Sequence, residues 1–398
     1  MKTDLRENRT AGSSYIAAAD FLRVAAITLV AWYHFWQQSW LSPNFTVGGL
    51  RVNLQGLVAH GYLMVDVLLV LSGFLLTLPY ARARRERLPF PSTRRFYLRR
   101  FWRIVPSYLL AVGLVFFLYA LPQGKYASAG AAARDLALHL TFTHNLSAAS
   151  CLWTPLLPVL WTLAVEVQFY LLCPLLMRAY VRRPGAVCLA LTLTAFAARA
   201  WVLLRAEDSS MLVNQLPCML DLYACGMLAA TVVTGRADRR RSPLSGLLLA
   251  LGALLCFLLL LQIVYRQPYG DRDAARRMQL LWRFPVGLLT GGALLCGSLM
   301  PAGAQRAVGN PLTRLLAAVS YNYYIWHQFL AIRLKEGHIP AYVSEAPHKV
   351  GEAPWQLRYT LLCFAGAFVL ALALTYGFEK PLNRLGRKIS FYFSVFSS

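Results

Sequence analysis

The chain has 398 residues, of which 58% are hydrophobic and only 14% are charged. Soluble globular proteins typically carry about 25% charged residues, so this composition excludes a purely soluble fold. The 40 Lys and Arg residues against 17 Asp and Glu give a formal net charge of +23, which usually indicates nucleic acid or another acidic surface as partner. Nucleic-acid binders do not carry such long apolar runs. The composition predicts a polytopic protein of the lipid bilayer with no nucleic-acid partner.

Ten stretches of the chain are long and apolar enough to cross a bilayer core, which takes roughly 20 helical residues. The first follows a polar start over residues 1–14 and has no small-residue cleavage site, so it is predicted to be retained and not removed as a signal peptide. We expect an all-α membrane helical bundle forming a single domain over residues 1–398. The predicted spans cover residues 16–36, 56–80, 104–121, 157–178, 186–204, 215–234, 244–265, 279–300, 312–333 and 357–377.

The distribution of Lys and Arg predicts the orientation of the bundle. With the N-terminus inside, 25 basic residues fall on the inner side and 12 on the outer side, as the positive-inside rule requires. Both termini, including the tail over residues 379–398, are therefore predicted to be cytoplasmic. Seven of the eight cysteines lie in apolar runs without metal-ligand or redox spacing, so neither a metal site nor a disulfide framework is predicted.

Ionisable residues in the first span suggest a functional site, because charge near the bilayer centre costs about 2.5–3.5 kcal/mol. Arg23 and His34 are eleven residues apart, which places them on one helix face about 16 Å apart along the axis. Asp20 is spaced to pair with Arg23. The alternative is a structural ion pair with an interfacial histidine; the shared face favours function.

Two later spans carry further polar residues. Glu166 lies well inside the fourth span, as a protonated packing residue, a buried acid or a partner of Arg23 or a substrate hydroxyl. Ser320, Tyr324 and His327 lie on one face of the ninth span, although a Tyr- and Trp-rich stretch is also typical of an interfacial belt.

Arginines alternate with aromatic residues before the third span. Arg99, Arg100 and Arg103 precede Pro106, where we expect a helix to start. Such a loop usually serves orientation and attraction to anionic lipid, but arginines at this spacing also suit bidentate phosphate binding. A phosphorylated cytosolic molecule is therefore a candidate ligand.

Taken in order, these segments resemble the membrane-bound acyltransferase 3 family, which includes bacterial O-acetyltransferases of polysaccharides and other glycoconjugates. The resemblance covers almost the whole chain. The matching segments are Asp20-Phe-Leu-Arg23 with His34, Leu71-Ser-Gly-Phe74, Arg99-Arg-Phe-Trp-Arg103-Ile-Val-Pro106-Ser-Tyr108, Trp161-Thr-Leu-Ala-Val-Glu166-Val-Gln-Phe-Tyr170, Ser320-Tyr-Asn-Tyr-Tyr324-Ile-Trp-His327 and Glu379-Lys-Pro381.

The resemblance implies ten spans, a cytoplasmic acyl-CoA donor and an acceptor hydroxyl at the opposite face. Arg23 and His34 would take the family's essential Arg and His positions, and Arg99, Arg100 and Arg103 its donor-associated basic motif. Leu68 and Leu69 stand where the family is often aromatic, a change in packing. The extracellular hydrolase-like domain of some members is absent, so we expect the bundle and its loops to recognise the acceptor.

These features predict a multi-pass plasma-membrane O-acyltransferase that uses acetyl-CoA, or another acyl-CoA, as co-substrate and binds no resident cofactor. The acceptor would be a cell-envelope carbohydrate or related glycoconjugate, with an antibiotic or other secondary metabolite as second choice. His34 would be the base, with Glu166 orienting it and Arg23 holding the CoA arm or stabilising negative charge. Asp20, Ser320, Tyr324 and His327 would line the substrate passage.

Two other functions fit some of the same residues. The intramembrane charges would also suit a transporter's translocation or proton path, but paired repeats typical of transporters are not visible. A non-catalytic sensor or assembly subunit with the same fold is the second rival.

Overall fold

A computed structural model describes residues 16–236, 241–268 and 271–386. The predicted polar segment 1–14 and the part of the predicted tail after residue 386 lie outside the described residues, as do some of the basic residues used to predict orientation. The described chain is almost entirely helical, which confirms the predicted all-α bundle. Its helices are α1 (Ala17–Ser39), α2 (Gln55–Ala59), α3 (Met64–Glu86), α4 (Thr93–Val115), α5 (Ala129–Leu140), α6 (Ala148–Leu152), α7 (Trp161–Tyr180), α8 (Pro184–Arg205), α9 (Leu220–Arg236), α10 (Pro243–Tyr265), α11 (Arg272–Leu299), α12 (Ala302–Val308), α13 (Pro311–Glu336) and α14 (Ala353–Leu374).

One small departure from the all-helical pattern follows α1. Strands β1 (Asn44–Val47) and β2 (Leu50–Asn53) pair as an antiparallel hairpin, with Asn44 opposite Asn53. Gly48 and Gly49 occupy its turn with φ of +56° and +83°, which glycine adopts without steric cost. The hairpin is exposed and contributes little to the core.

Eight helical segments within the described ranges are long and apolar enough to cross a membrane. Each overlaps one of the predicted spans. They are Gly61–Glu86, Thr93–Ala120, Pro158–Tyr180, Pro184–Arg205, Leu216–Arg236, Pro243–Tyr265, Asp273–Leu299 and Pro354–Gly386.

The other two predicted spans lie on α1 and α13, helices of 23 and 26 residues that are not among these eight. Their polar residues account for this difference. On α13, Ser320, Asn322 and His327 are buried within the protein, so these groups face other helices and not lipid. All ten predicted spans are therefore helical.

The predicted start of the third span is wrong. Helix α4 begins at Thr93, and Pro106 lies inside it. A proline removes one backbone hydrogen bond and tends to bend a helix without necessarily ending it. The basic segment before Pro106 is itself an amphipathic turn, because Phe96 is buried while Arg99 is exposed, so it continues the same helix.

Helices α3 and α9 cross with their backbones in contact. A Cβ added at Gly226 would lie 2.0 Å from the carbonyl oxygen of Val70, and one added at Gly73 would lie 2.4 Å from that of Tyr223. Only glycine fits at such distances. The crossing explains the glycine of the Leu71-Ser-Gly-Phe74 segment and positions the adjacent Ser72 against α7.

Two buried ion pairs join further helices. Arg283 on α11 donates from Nε to Asp66 on α3 at 3.3 Å, and Arg199 on α8 donates to both carboxylate oxygens of Asp221 on α9, at 3.0 and 2.7 Å. Pairing is the usual state of charges inside a membrane protein. These charges therefore hold helices together.

Candidate active site

Helix α1 carries the first part of the site. Arg23 Nη1 lies 3.2 Å from Asp20 Oδ1, which confirms the predicted i, i+3 pair. Both side chains are partly exposed. Arg23 also lines a cavity inside the bundle. This side of the ion pair therefore faces the interior of the protein and not the lipid.

This inner cavity, of about 110 Å³, lies between α1, α3, α4, α7 and α13. It contains six residues that the sequence singled out. The walls also include Ile27, Val65, Leu69 and Leu163, which make the space largely apolar. The six are Arg23, Arg100, Arg103, Glu166, Ser320 and Tyr324.

Glu166 is held by two hydroxyl donors. Ser72 Oγ donates to Glu166 Oε1 at 2.9 Å, and the Tyr170 hydroxyl donates to the same oxygen. A carboxylate bound in this way has a defined orientation at the cavity wall. The structure joins Glu166 to α3 and to its own helix but does not bring it into hydrogen-bond contact with His34.

The three arginines of α4 do not share one environment. Arg100 and Arg103 line the cavity, whereas Arg99 does not. The Arg100 guanidinium lies 5.7 Å from the ring centre of Phe96 and 5.4 Å from that of Tyr170, within cation–π range. These rings hold Arg100 at the cavity.

His34 and His327 form a hydrogen-bonded histidine pair. His34 Nδ1 lies 2.8 Å from His327 Nε2, and His327 Nδ1 lies 2.7 Å from the carbonyl oxygen of Tyr324. His34 is half-buried and His327 is fully buried. The sequence placed His327 with Ser320 and Tyr324, but its contact with His34 on another helix was not predicted.

The hydrogen bonds assign the tautomers of two neutral rings. A carbonyl oxygen only accepts, so His327 Nδ1 carries its proton and His327 Nε2 accepts. His34 Nδ1 must then donate. This arrangement leaves the lone pair on His34 Nε2.

Tyr324 connects the cavity to the histidine pair. Its hydroxyl accepts from Thr162 Oγ1 at 2.9 Å and donates to the Val159 carbonyl oxygen at 3.3 Å. Its backbone carbonyl holds His327. Tyr324 thus lines the inner cavity and also holds the ring of His327, which in turn contacts His34.

Residues 126–154, on the side that the basic loops predict to be outer, form an outer cap that covers part of α7. Asp135 accepts hydrogen bonds at Oδ2 from Tyr126 and Thr154, both at 2.8 Å. Burial alone would raise the pKa of Asp135, but the neighbouring side chains of His139, Ser150 and Thr154 hold this pKa at about 2.

The outer cap also contacts the helix that carries Glu166. Asn145 Oδ1 accepts from Gln168 Nε2 at 2.8 Å, and Gln215 donates from Nε2 to the Asn145 carbonyl at 2.7 Å. Because Gln168 lies two residues after Glu166, the cap helps to position this part of α7.

Several supporting residues were missed although they occur in the matching segments. Ser72 and Tyr170 are the donors to Glu166, and Asn322 donates to Glu379 Oε2 at 2.7 Å. Their presence in the segments was the available signal. Among the described residues, no group of three or more His, Cys, Asp or Glu side chains is arranged to hold a metal ion.

Comparisons with known proteins identify the family of this chain. The model of the acyltransferase 3 family, described as an acyltransferase domain, matches residues 16–376. The chain therefore belongs to this family, and it is a membrane acyltransferase that transfers groups other than amino-acyl groups.

Two relatives share part of their sequence with this chain. A protein of Acidianus two-tailed virus assigned as an acetyltransferase, ORF330, is 23% identical over 85% of this chain and 91% of its own length. The peptidoglycan O-acetyltransferase OatA of Listeria monocytogenes is 28% identical over 46% of this chain, which corresponds to 26% of that protein. No solved structure matches the chain.

Proposed function

We propose that the protein is a multi-pass plasma-membrane O-acetyltransferase that transfers acetyl from cytoplasmic acetyl-CoA to a hydroxyl of a cell-envelope carbohydrate or related glycoconjugate. The observation that carries this proposal is the connection, through Tyr324, between an arginine-lined cavity and a histidine pair. The name of the Listeria relative, a peptidoglycan O-acetyltransferase, supports an envelope sugar as acceptor.

The arginines suit the donor end of the reaction. Arg100 and Arg103 enter the inner cavity from α4, and guanidinium groups bind phosphate bidentately. We assign them to the CoA phosphates, with Arg23 along the CoA arm. Because Arg23 lies about 16 Å from His34 along α1, it is poorly placed to stabilise an oxyanion formed beside His34.

The histidine pair suits the acceptor end. His34 Nε2 takes the proton of the acceptor hydroxyl, whose oxygen attacks the thioester carbonyl carbon. Collapse of the tetrahedral intermediate breaks the carbon–sulfur bond, and the CoA thiolate leaves and takes the proton from the His34 imidazolium. His327 holds the productive tautomer of His34, while Asp20, Ser320 and Tyr324 line the passage.

The test is transfer by the purified protein in nanodiscs, with labelled acetyl-CoA and envelope glycan as acceptor. We expect free CoA and labelled glycan in equal amounts, and loss of both by about 10²- to 10⁴-fold in His34→Ala, the range of general-base catalysis. His348→Ala, in the outer loop, is the matched control and should transfer normally.

Two results would contradict the proposal. Wild-type turnover by folded His34→Ala would exclude His34 as the base. Uptake of a solute without release of CoA would favour the transporter. In cells, mass spectrometry of envelope glycans should show an acetyl mass that disappears when the protein is absent.

A further inference from the structure

A second cavity lies at the common end of three membrane-spanning segments. Its volume is about 390 Å³, and its lining residues come from the last turns of Gly61–Glu86, Pro158–Tyr180 and Leu216–Arg236. The cavity therefore lies near the membrane surface, on the side that the basic loops predict to be cytoplasmic.

The lining of this surface cavity combines positive charge with hydroxyl groups. Arg84 and Arg85 contribute guanidinium groups, and Tyr180, Thr231 and Thr234 contribute hydroxyls. Arg85 donates to the backbone carbonyl of Thr234, which anchors it at the wall. Among the described residues that line this cavity, none is acidic.

The other polar groups hold the shape of the cavity. The Tyr180 hydroxyl lies 2.9 Å from the Met227 carbonyl oxygen and 2.8 Å from Thr231 Oγ1, so it joins α7 to α9. Arg84 and Arg85, by contrast, are exposed. A fixed wall with an exposed guanidinium at its edge is suited to binding an anion from the membrane surface.

This cavity is separate from the candidate active site. On α7, Tyr170 lines the inner cavity and Tyr180 the surface cavity, which places them about 15 Å apart. On α3, Ser72 and Arg84 are about 18 Å apart by the same measure. The arginines of the surface cavity are therefore not part of the inner cavity.

We propose that the surface cavity binds a phosphate group. Guanidinium groups form strong charge-assisted hydrogen bonds with phosphate oxygens, and basic pockets between membrane helices on the cytoplasmic side bind phospholipid headgroups. The phosphate has two possible sources, an anionic lipid of the bilayer and a soluble phosphorylated molecule such as CoA.

The test uses one probe for each source. Phosphatidylglycerol binding to the detergent-solubilised full chain is measured by native mass spectrometry, and CoA binding is measured calorimetrically in phosphatidylcholine nanodiscs. In Arg84→Gln/Arg85→Gln, affinity for one of the probes should fall about 10- to 100-fold, as expected for lost hydrogen bonds to a charged group. The affected probe identifies the source.

The matched control is Arg182→Gln/Arg183→Gln, which removes the same charge from the neighbouring α7–α8 connection. This control should bind the affected probe with an affinity within about twofold of that of the wild type, since surface charges contribute little individually. Arg84→Gln alone, which preserves the bond of Arg85 to Thr234, should lose about tenfold and excludes misfolding as the cause. Two results would overturn the proposal. One is unchanged binding of both probes in Arg84→Gln/Arg85→Gln and in Arg84→Gln; the other is an equal loss of affinity in Arg84→Gln/Arg85→Gln and in Arg182→Gln/Arg183→Gln.

Discussion

At the scale of single residues, the site depends on which proton each histidine carries. His327 donates to the carbonyl of Tyr324 and accepts from His34. The lone pair of His34 Nε2 is therefore available as the base only while these two hydrogen bonds are present. A buried partner that fixes the tautomer of a catalytic histidine is worth several orders of magnitude in other enzymes. His327 is a positioning residue in this scheme.

Two substitutions of His327 should separate positioning from simple packing. Glutamine can accept from His34 and donate to the Tyr324 carbonyl, whereas leucine can do neither. We expect His327→Gln to retain most activity and His327→Leu to lose about 10²-fold or more in kcat, with KM for acetyl-CoA unchanged. If His327→Gln and His327→Leu are equally stable and have equal kcat, His327 does not position His34 through its hydrogen bonds.

The three arginines of α4 should differ in their effects on the donor. Because Arg100 and Arg103 line the inner cavity and Arg99 does not, Arg100→Gln and Arg103→Gln should each raise KM for acetyl-CoA about tenfold or more. Arg99→Gln is the matched control and should change KM little. A loss in Arg99→Gln as large as in the other two would mean that the motif acts through surface charge.

At the scale of elements, helices and loops without catalytic residues position the helices that carry them. The α3–α9 crossing places Ser72 beside Glu166, and the outer cap reaches α7 through Asn145 and Gln168. Cap residues are close to one another in sequence, so the cap is mainly a local structure. Its stability depends on one buried carboxylate, Asp135.

The depressed pKa of Asp135 predicts a pH-dependent stability. A carboxyl group with a pKa of about 2 in the folded protein and about 3.9 when unfolded contributes about 2–3 kcal/mol above pH 4. This contribution is lost as the pH falls from about 4 to about 2.

Thermal unfolding at pH 5 and pH 2.5 should therefore show a smaller stability difference between wild type and Asp135→Asn at the lower pH. The exposed Glu207, changed to Gln, provides the control for general acid effects. A constant difference between wild type and Asp135→Asn would show that the pKa of Asp135 is the same in the folded and the unfolded protein.

At the scale of the whole molecule, the proposed reaction needs two faces of one membrane. The arginine-lined inner cavity and the histidine pair lie at different heights of the same bundle, and Tyr324 lies between them. The positive-inside rule assigns the arginine end to the cytoplasm. This orientation determines which substrate enters from which side.

Cysteine labelling in intact cells should establish the orientation. We expect a membrane-impermeant maleimide to label Val343→Cys, at a position 98% exposed in the outer loop, and to label Leu88→Cys only after lysis. The native cysteines are buried or half-buried, which keeps the background low. Labelling of Leu88→Cys without lysis would reverse the assignment.

The class of protein, the ten helices, the family and the Asp20–Arg23 pair all follow from the sequence alone. Hydropathy and i, i+3 spacing are local properties, and they survive in any packing of the helices. Even so, the helix of the third span extended beyond its predicted start, because the basic turn before Pro106 is itself amphipathic.

Which polar residues contact each other depends on how the helices pack. His34 and His327 are 293 positions apart, and their contact depends on how α1 packs on α13. The packing of α4 in the bundle separates Arg99 from Arg100 and Arg103, and the packing of α3 on α7 gives Glu166 the hydroxyl of Ser72 as a partner in place of His34. A helical pattern specifies the face on which a side chain lies, but the helix opposite that face is selected by the packing of the whole bundle.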